Sequence, residues 1–556
     1  MKLLPTGAIA KGWILAITPM QLIFLLLTAS LVAEETKTRI PPLELPDREV
    51  LTAYERAADQ NVLAARNPKI FPGYWSVCAD GIGHGYGNTY PALDGHQMAD
   101  ALLFLEQLID VKANWDYVRR FQRPTGQLPF AILPAKAGQM IGKPTALAKV
   151  DDNGGLYIHW VPGDPLRALG YPTYIQNADA IFRRTQDRQW LEEQMPSVNL
   201  AADFLATLTT EEGAVKGAGY YVEMPTRIEF DGVTQCHAVD AFRRIAALNR
   251  VVGDEVKARH YDELAGRIQR HFITRFWVKG QDHFAEYLDP VRGLISNHGL
   301  TDVDWAAIAT GVATPEQQAI LWPKLKDEKG FYYGGMPSGI ATHPETYERW
   351  EFAYDGENSP DGKHVARLDL AAMGRVWYLE ATTRVRMGDA QGLLDGLRKV
   401  SQVGRENGYY WNERYPPDGK NTGKAKYCEY PANLIRIVQR FLYGVDFRLD
   451  GSLVLAPTVT NEFWEKGFGQ TIAWRDRTLD YRMQQDRIEG TYSGNATQRL
   501  GIKLRSGTGL GEFRAIVDGR AMDTTREEGL AFITLPASSA QQPCRFEITR
   551  LSGGRE

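Results

Sequence analysis

The chain has 556 residues, more than one ordinary domain requires, with 44% apolar and 24% charged residues, a normal globular balance. Its formal net charge is −4 and both signs are spread along the chain, which argues against a nucleic-acid binder marked by a basic patch or stripe. The four cysteines, Cys78, Cys236, Cys428 and Cys544, show no metal-ligand spacing, and no disulfide pairing follows from their positions.

The first segment carries Lys2 and Lys11, then runs without a charge from Trp13 to Ala33, then turns polar in EETKTR. Residues 1–33 read as a secretory signal cleaved after Ala33. The run is also long enough to span a bilayer, so an uncleaved anchor is the alternative. Either way the body of the protein is expected to be exported, secreted or periplasmic. Residues 34–47 form a Pro-rich, charged lead-in.

From residue 48 to about 445 the apolar residues recur at three- and four-residue spacing. Helices are predicted near 49–65, 94–109, 111–122, 171–186, 189–209, 232–252, 254–276, 302–310, 315–326, 367–388, 390–404 and 430–444. Val239, Phe242, Ile245, Ala246 and Val252 line one face of the sixth. Short polar turns alternate with long links rich in aromatic, glycine and acidic residues: 66–93, 124–170, 210–231, 277–301, 328–366 and 405–429. Long links in a compact domain are usually functional. Twelve segments make six helical hairpins, and six long links at one end of a helical toroid would converge on one cavity. After residue 446 the pattern changes to strand alternation broken by Gly and Asp turns, which predicts a C-terminal antiparallel β-sandwich over 446–556. The fold class is therefore mainly α, an (α/α)6 toroid over 48–445 followed by a smaller β-domain.

Aromatic residues are abundant, with 13 Trp and 25 Tyr, many of them in the links. Sugar rings have apolar faces that pack on such side chains, so a carbohydrate is the expected partner. The segments YWSVCADGIGHGYGNTYPALDGHQMADALLFLEQ, YVRRFQRPTGQLP and DAFRRIAALNRVVGDEVKARHYDELAGRIQRHFITRFW, with the hairpin pattern and the β-domain, resemble the six-hairpin glycosidase superfamily. That superfamily includes rhamnosidases, glucoamylases, trehalases, debranching-type enzymes and inverting disaccharide phosphorylases. The resemblance spans roughly residues 50–550 and implies hydrolysis of glycosidic bonds with inversion by two carboxyl groups, without a metal or other cofactor. One carboxyl donates a proton to the leaving oxygen, and the other activates water on the opposite face.

In glucoamylase-like members the base resides in the loop entering the last helix, the place that Glu429 occupies in KYCEYPANLIRIVQRFL. Pro431 suits a first helical turn, and Glu429 could equally complement the helix dipole. The acid is expected in GYYVEMPTRIEFDGVTQCHAVDAF. Glu229, between Ile228 and Phe230, is the first choice. Asp231 is the second, with a competing role as helix N-cap, and Glu223 could hold a sugar hydroxyl. Sugar contacts are expected from Asp94 and His96 in YPALDGHQ, where Asp94 and Gln97 also form a capping-box pattern. Others are expected from Asp152, His159 and Trp160, whose Asp-Asn-Gly-Gly context is also an ordinary turn. Trp350 and Glu351 suggest a cavity wall, with Glu351 the third-choice carboxylate, and Trp411 lies in the aromatic YYWNERY.

Four rivals carry sequence features of their own. A phosphorylase would use Lys420, Lys424 and Lys426 near Glu429. A polysaccharide lyase or unsaturated-uronyl hydrolase can share a helical toroid. A zinc-assisted cysteine enzyme is hinted at by Cys428. A glycan-binding protein would keep the cavity and lack one carboxylate. No phosphate loop, H-E-x-x-H helix or serine nucleophile elbow is present.

Overall fold

The computed structural model describes residues 40–69, 72–81, 93–128, 131–133, 149–150, 156–158, 170–217, 229–352, 369–419, 423–505 and 513–551. Twelve helices occur in the order read from the sequence: α1 (Arg48–Arg56, continued by a π-helical stretch Ala57–Leu63), α2 (Leu93–Phe104), α3 (Leu108–Arg119), α4 (Gly170–Thr185), α5 (Arg188–Thr207), α6 (Gly232–Val252), α7 (Glu255–Arg275), α8 (Asp302–Ala309), α9 (Pro315–Leu325), α10 (Gly374–Arg386), α11 (Ala390–Glu406) and α12 (Glu429–Ile437, continued by a π-helical stretch Val438–Leu442).

Local chemistry explains where most of the outer helices start. Asp47, Asp187, Asp254 and Asp389 each accept a hydrogen bond from a backbone N–H in the first turn of α1, α5, α7 and α11. Thr314 and Gln317 close a capping box on α9, with Pro315 just inside. Gly253, at φ 89°, ends α6 in the left-handed conformation, so that Asp254 can open α7 at once. α10 begins at Gly374, later than the predicted 367, because the backbone of Ala372 is already paired with Tyr415.

The even-numbered helices form an inner ring, packed in the order α2, α4, α6, α8, α10, α12 and back to α2, while α11 packs on α1 to close the outer layer. Bonds at matching depth show the inner helices to be parallel. Asn433 donates to Gln97, Arg436 Nε lies 2.7 Å from Asp100 Oδ2, and Arg244 Nη1 lies 2.5 Å from Asp179 Oδ2. Each inner helix is therefore entered from a long link at one end and left through a short link at the other. Inner helices are buried on every side, as every residue of α8 and of Glu429–Ile437 shows. The outer α11 keeps a stripe of Leu393, Leu394, Leu397 and Val400 inward.

The C-terminal part holds two sheets. One places strands 43–44, 468–474, 477–484, 487–493, 544–550, 513–517 and 520–522 side by side, and the other 445–447, 453–455, 498–502, 530–535 and 525–527. Rings from the two sheets meet, with Phe447 and Trp474 centroids 5.6 Å apart. Two details depart from the sequence reading. Leu453–Leu455 pairs with 500–502 in parallel. The end of the lead-in, Leu43–Glu44, is an edge strand on Gly469 and Gln470. Residues 41–556 form one compact unit. Arg184 of α4 explains part of this: it donates to Ala473 O at 2.8 Å and lies 4.2 Å above the Phe447 ring.

Candidate active site

Glu429 is the first residue of α12, and its carboxylate turns to the neighbouring inner helix. α10 has no side-chain cap of its own, and the Arg375 backbone N–H donates to Glu429 Oε1 instead. Arg375 Nε donates to the same oxygen at 3.0 Å. Glu429 thus complements the positive end of α10, a neighbour's dipole, in addition to opening its own helix. The contact requires Gly374. A Cβ there would stand 2.9 Å from Glu429 C and Tyr430 N and 3.1 Å from Glu429 Cγ. Glu429 is 3% exposed, and its second oxygen, Oε2, is buried with no hydrogen-bond partner among the described residues. Burial pushes its carboxyl up to about 7. Arg375 pulls the other way, and Asp94 adds to the rise.

Asp94 sits inside the first turn of α2 rather than at its cap, and Gln97 accepts from Asn433 of the neighbouring α12. Asp94 acts electrostatically on Arg375, Tyr427 and Glu429, so it belongs to the Glu429 cluster. His96 faces the lumen: its Nδ1 is 2.7 Å from Asn177 Oδ1, and burial with Arg436 nearby lowers its pKa to about 4, leaving it neutral. Asp231 is the N-cap of α6, its Oδ2 accepting from Thr234 N at 2.8 Å and Thr234 Oγ1 at 2.7 Å. Glu229 is half-buried and held at φ 77°, and its carbonyl accepts from Gly217 N at 2.8 Å. A left-handed glutamate is uncommon, and such conformations gather at working sites.

Glu351 and Trp411 do not stand where the sequence reading put them. Glu351 is 2% exposed and fully engaged. Its Oε1 accepts from Tyr287 Oη at 2.6 Å and lies 2.9 Å from His298 Nε2, and its Oε2 accepts from Glu348 N at 2.7 Å. Burial acts to raise its pKa, but these bonds outweigh it and the net shift is downward, opposite to what a proton donor needs. Trp411 is 0% exposed, donates to Val400 O at 3.1 Å and fills the slot left by Gly404, where a Cβ would stand 2.2 Å from its ring. It is a packing residue, with no face for a ligand. Trp350 is 37% exposed beneath Arg292, 3.7 Å from its ring centroid. Asp152, His159, Trp160, Glu223 and Lys420 lie outside the described residues.

The sequence reading missed Arg375, although a signal existed: an arginine in the first turn of a helix opposes the dipole and calls for a carboxylate. It also missed the lumen. A cavity of about 300 Å³ runs along the ring axis, with His96, Gln97, His237 and Arg375 towards the loop end and Arg183, Arg386, Arg440 and Asp446 at the other. Burial pushes the Cys428 thiol well up, the reverse of an activated nucleophile, and all four cysteines are buried and outside any disulfide. No group of His, Cys, Asp or Glu among the described residues converges as a metal site.

An inner ring of parallel helices inside an outer ring that runs the opposite way, with the long links at one end and a β-rich C-terminal part, is an (α/α)6 toroid fold. Solved structures with this architecture include the GH78 family rhamnosidase of Bacillus sp. GL1, with a TM-score of 0.60 and 11% identity over 84% of this chain and 43% of that one. The α-L-rhamnosidase from Dictyoglomus thermophilum aligns with a TM-score of 0.56 and 11% identity over 92% of this chain and 51% of that one. The Streptomyces avermitilis α-L-rhamnosidase complexed with L-rhamnose aligns with a TM-score of 0.53 and 12% identity over 92% and 42%. The chain spans about half or less of the length of these proteins. No protein-family model matches the sequence, and no curated protein matches it.

Proposed function

We propose that this chain is an exported glycoside hydrolase that cleaves an oligosaccharide or glycan with inversion. The observation that carries the reading is Glu429. It is a buried carboxyl at the loop end of a six-hairpin ring, raised to about 7, with one oxygen bonded to Arg375 and the other without a partner among the described residues. A carboxylate whose pKa lies near neutral pH is well matched to proton transfer. In this reading Glu429, ionised, takes a proton from water as that water attacks the anomeric carbon. Arg375 holds the carboxylate in place. Glu229 gives its proton to the departing oxygen as the glycosidic bond breaks. Burial, with Asp94 adding to it, keeps the Glu429 pKa high, so the carboxylate is a stronger base than an exposed one.

The test is a panel of glycosides led by α-L-rhamnosides, because the similar structures are rhamnosidases. Each is incubated with and without phosphate, and the anomer first released is followed by NMR. Release without phosphate and with inversion supports the proposal. A sugar phosphate as product indicates a phosphorylase, an unsaturated product a lyase, and retention removes the role given to Glu429. Wild-type activity in Glu429→Gln would overturn the assignment of the base.

A further inference from the structure

The lumen has a second feature, at the end away from the long links. Its wall contains six arginines, Arg183, Arg244, Arg375, Arg386, Arg436 and Arg440, against four aspartates, Asp100, Asp179, Asp240 and Asp446. The two histidines on the wall are held neutral, their pKa values lowered by burial to about 4 and about 3. Two wall charges are matched from behind, Arg375 by Glu429 and Asp446 by Arg448 at 3.7 Å, and these offset one another. The wall therefore carries two positive charges in excess, although the whole chain is negative.

The aspartates deeper in the wall are already occupied. Asp179 accepts from Arg183 and Arg244, Asp240 from Arg244 and Gln176, and Asp100 from Arg436 and Arg440. Arg386 is different. It is the last residue of α10, it is exposed, and it makes no hydrogen bond or ion pair with the described residues. Arg243 and Arg244 repel it, and Asp240 is the carboxylate that acts on it. Its guanidinium lies over Gly311, whose carbonyl is already bonded by Arg243. An arginine fork held beside two other arginines at the mouth of a 300 Å³ cavity presents donors without acceptors.

We propose that the short-link end of the ring lumen is a binding site for a phosphate dianion, with Arg386 and Arg244 as its principal donors. A dianion neutralises the excess of two charges, and its oxygens supply the acceptors that the fork lacks. The dianion is either free phosphate or the phosphoryl group of a small organic ester. The site lies at the opposite end of the inner helices from Glu429 and does not depend on the glycosidase reading.

The test is isothermal titration of the mature chain with potassium phosphate, and separately with glucose 6-phosphate, against potassium chloride at matched ionic strength. One phosphate per chain is expected, with binding weakened about tenfold or more in Arg386→Gln. Arg386 is an exposed helix-end residue, so that variant folds. Glu429→Gln, which leaves Arg375 unmatched, is expected to bind phosphate no more weakly than the wild type does. Tighter binding of the ester than of free phosphate would assign the site to a phosphorylated ligand, and equal or weaker binding to free phosphate. Heats that chloride reproduces, or phosphate binding unchanged by Arg386→Gln, would overturn the proposal. Loss of binding in Glu429→Gln alone would move the anion to the loop end and equally overturn it.

Discussion

Gly374→Ala tests whether the close approach of α10 and α12 holds the Glu429 carboxylate in place. The new Cβ would stand 2.9 Å from the Glu429 C and Tyr430 N atoms, and neither is a side chain that can swing aside. Relaxed carbon contacts begin at about 3.5 Å, so the two helix starts must part by about 0.6 Å. Overpacking of this kind costs about 1–3 kcal/mol. The intrinsic gain of alanine over glycine is about 1 kcal/mol within a helix and smaller at its first residue. A net loss of about 1–2 kcal/mol is expected, read as a lower urea midpoint at an unchanged slope. The Arg375 bonds to Glu429 should lengthen with the same movement, lowering kcat/KM by about tenfold, a share of the hundredfold that a 1 Å misplacement can cause. Gly266→Ala is the control. That glycine lies within α7, its new Cβ would meet the far end of the Arg270 side chain at 3.3 Å, and the substitution should stabilise by about 0.5–1 kcal/mol. A Gly374→Ala protein as stable and as active as the wild type would refute the argument that this contact positions the carboxylate.

Glu429→Gln should lower turnover at least about a hundredfold while ligand binding, followed by fluorescence, persists. As a base, Glu429 works only when ionised, so kcat/KM in the wild type should rise with pH and level off above about 7, the value to which burial raises it, and the residual activity of the variant should lack that limb. Asp231→Ala should destabilise by about 1–2 kcal/mol through loss of the α6 cap, with Asp231→Asn recovering most of it, and calorimetry would separate the two. Trp411→Ala should destabilise by about 3–5 kcal/mol with KM unchanged in whatever remains folded; a raised KM at unchanged stability would restore Trp411 to the ligand.

The helices were legible because their signals are local. The apolar period, the aspartate caps at 47, 187, 254 and 389, and the glycine stop at 253 each depend on residues within about one turn. The strand alternation after 446 is local in the same way, and so is the Asp231 cap. The opening turn of α12 placed Glu429 at a helix start for the same reason. Where that carboxylate points was not legible, because its partner Arg375 lies 54 residues away and meets it only when α10 and α12 stand side by side. Trp411 and Glu351 look alike in sequence, both in aromatic loops, and only the close approach of Gly404 to Trp411 and the bonds of His298 and Tyr287 to Glu351 show that both are buried. The charged lumen is the extreme case. Asp100 and Arg436 are 336 residues apart, and their bond exists because the last helix returns to the first inner one. Local sequence thus determined which segments are helices and strands, since caps, turns and periodicity act over a few bonds. Ring closure decided which charges meet and which aromatic residues are out of reach, because burial and pairing are properties of the space between helices.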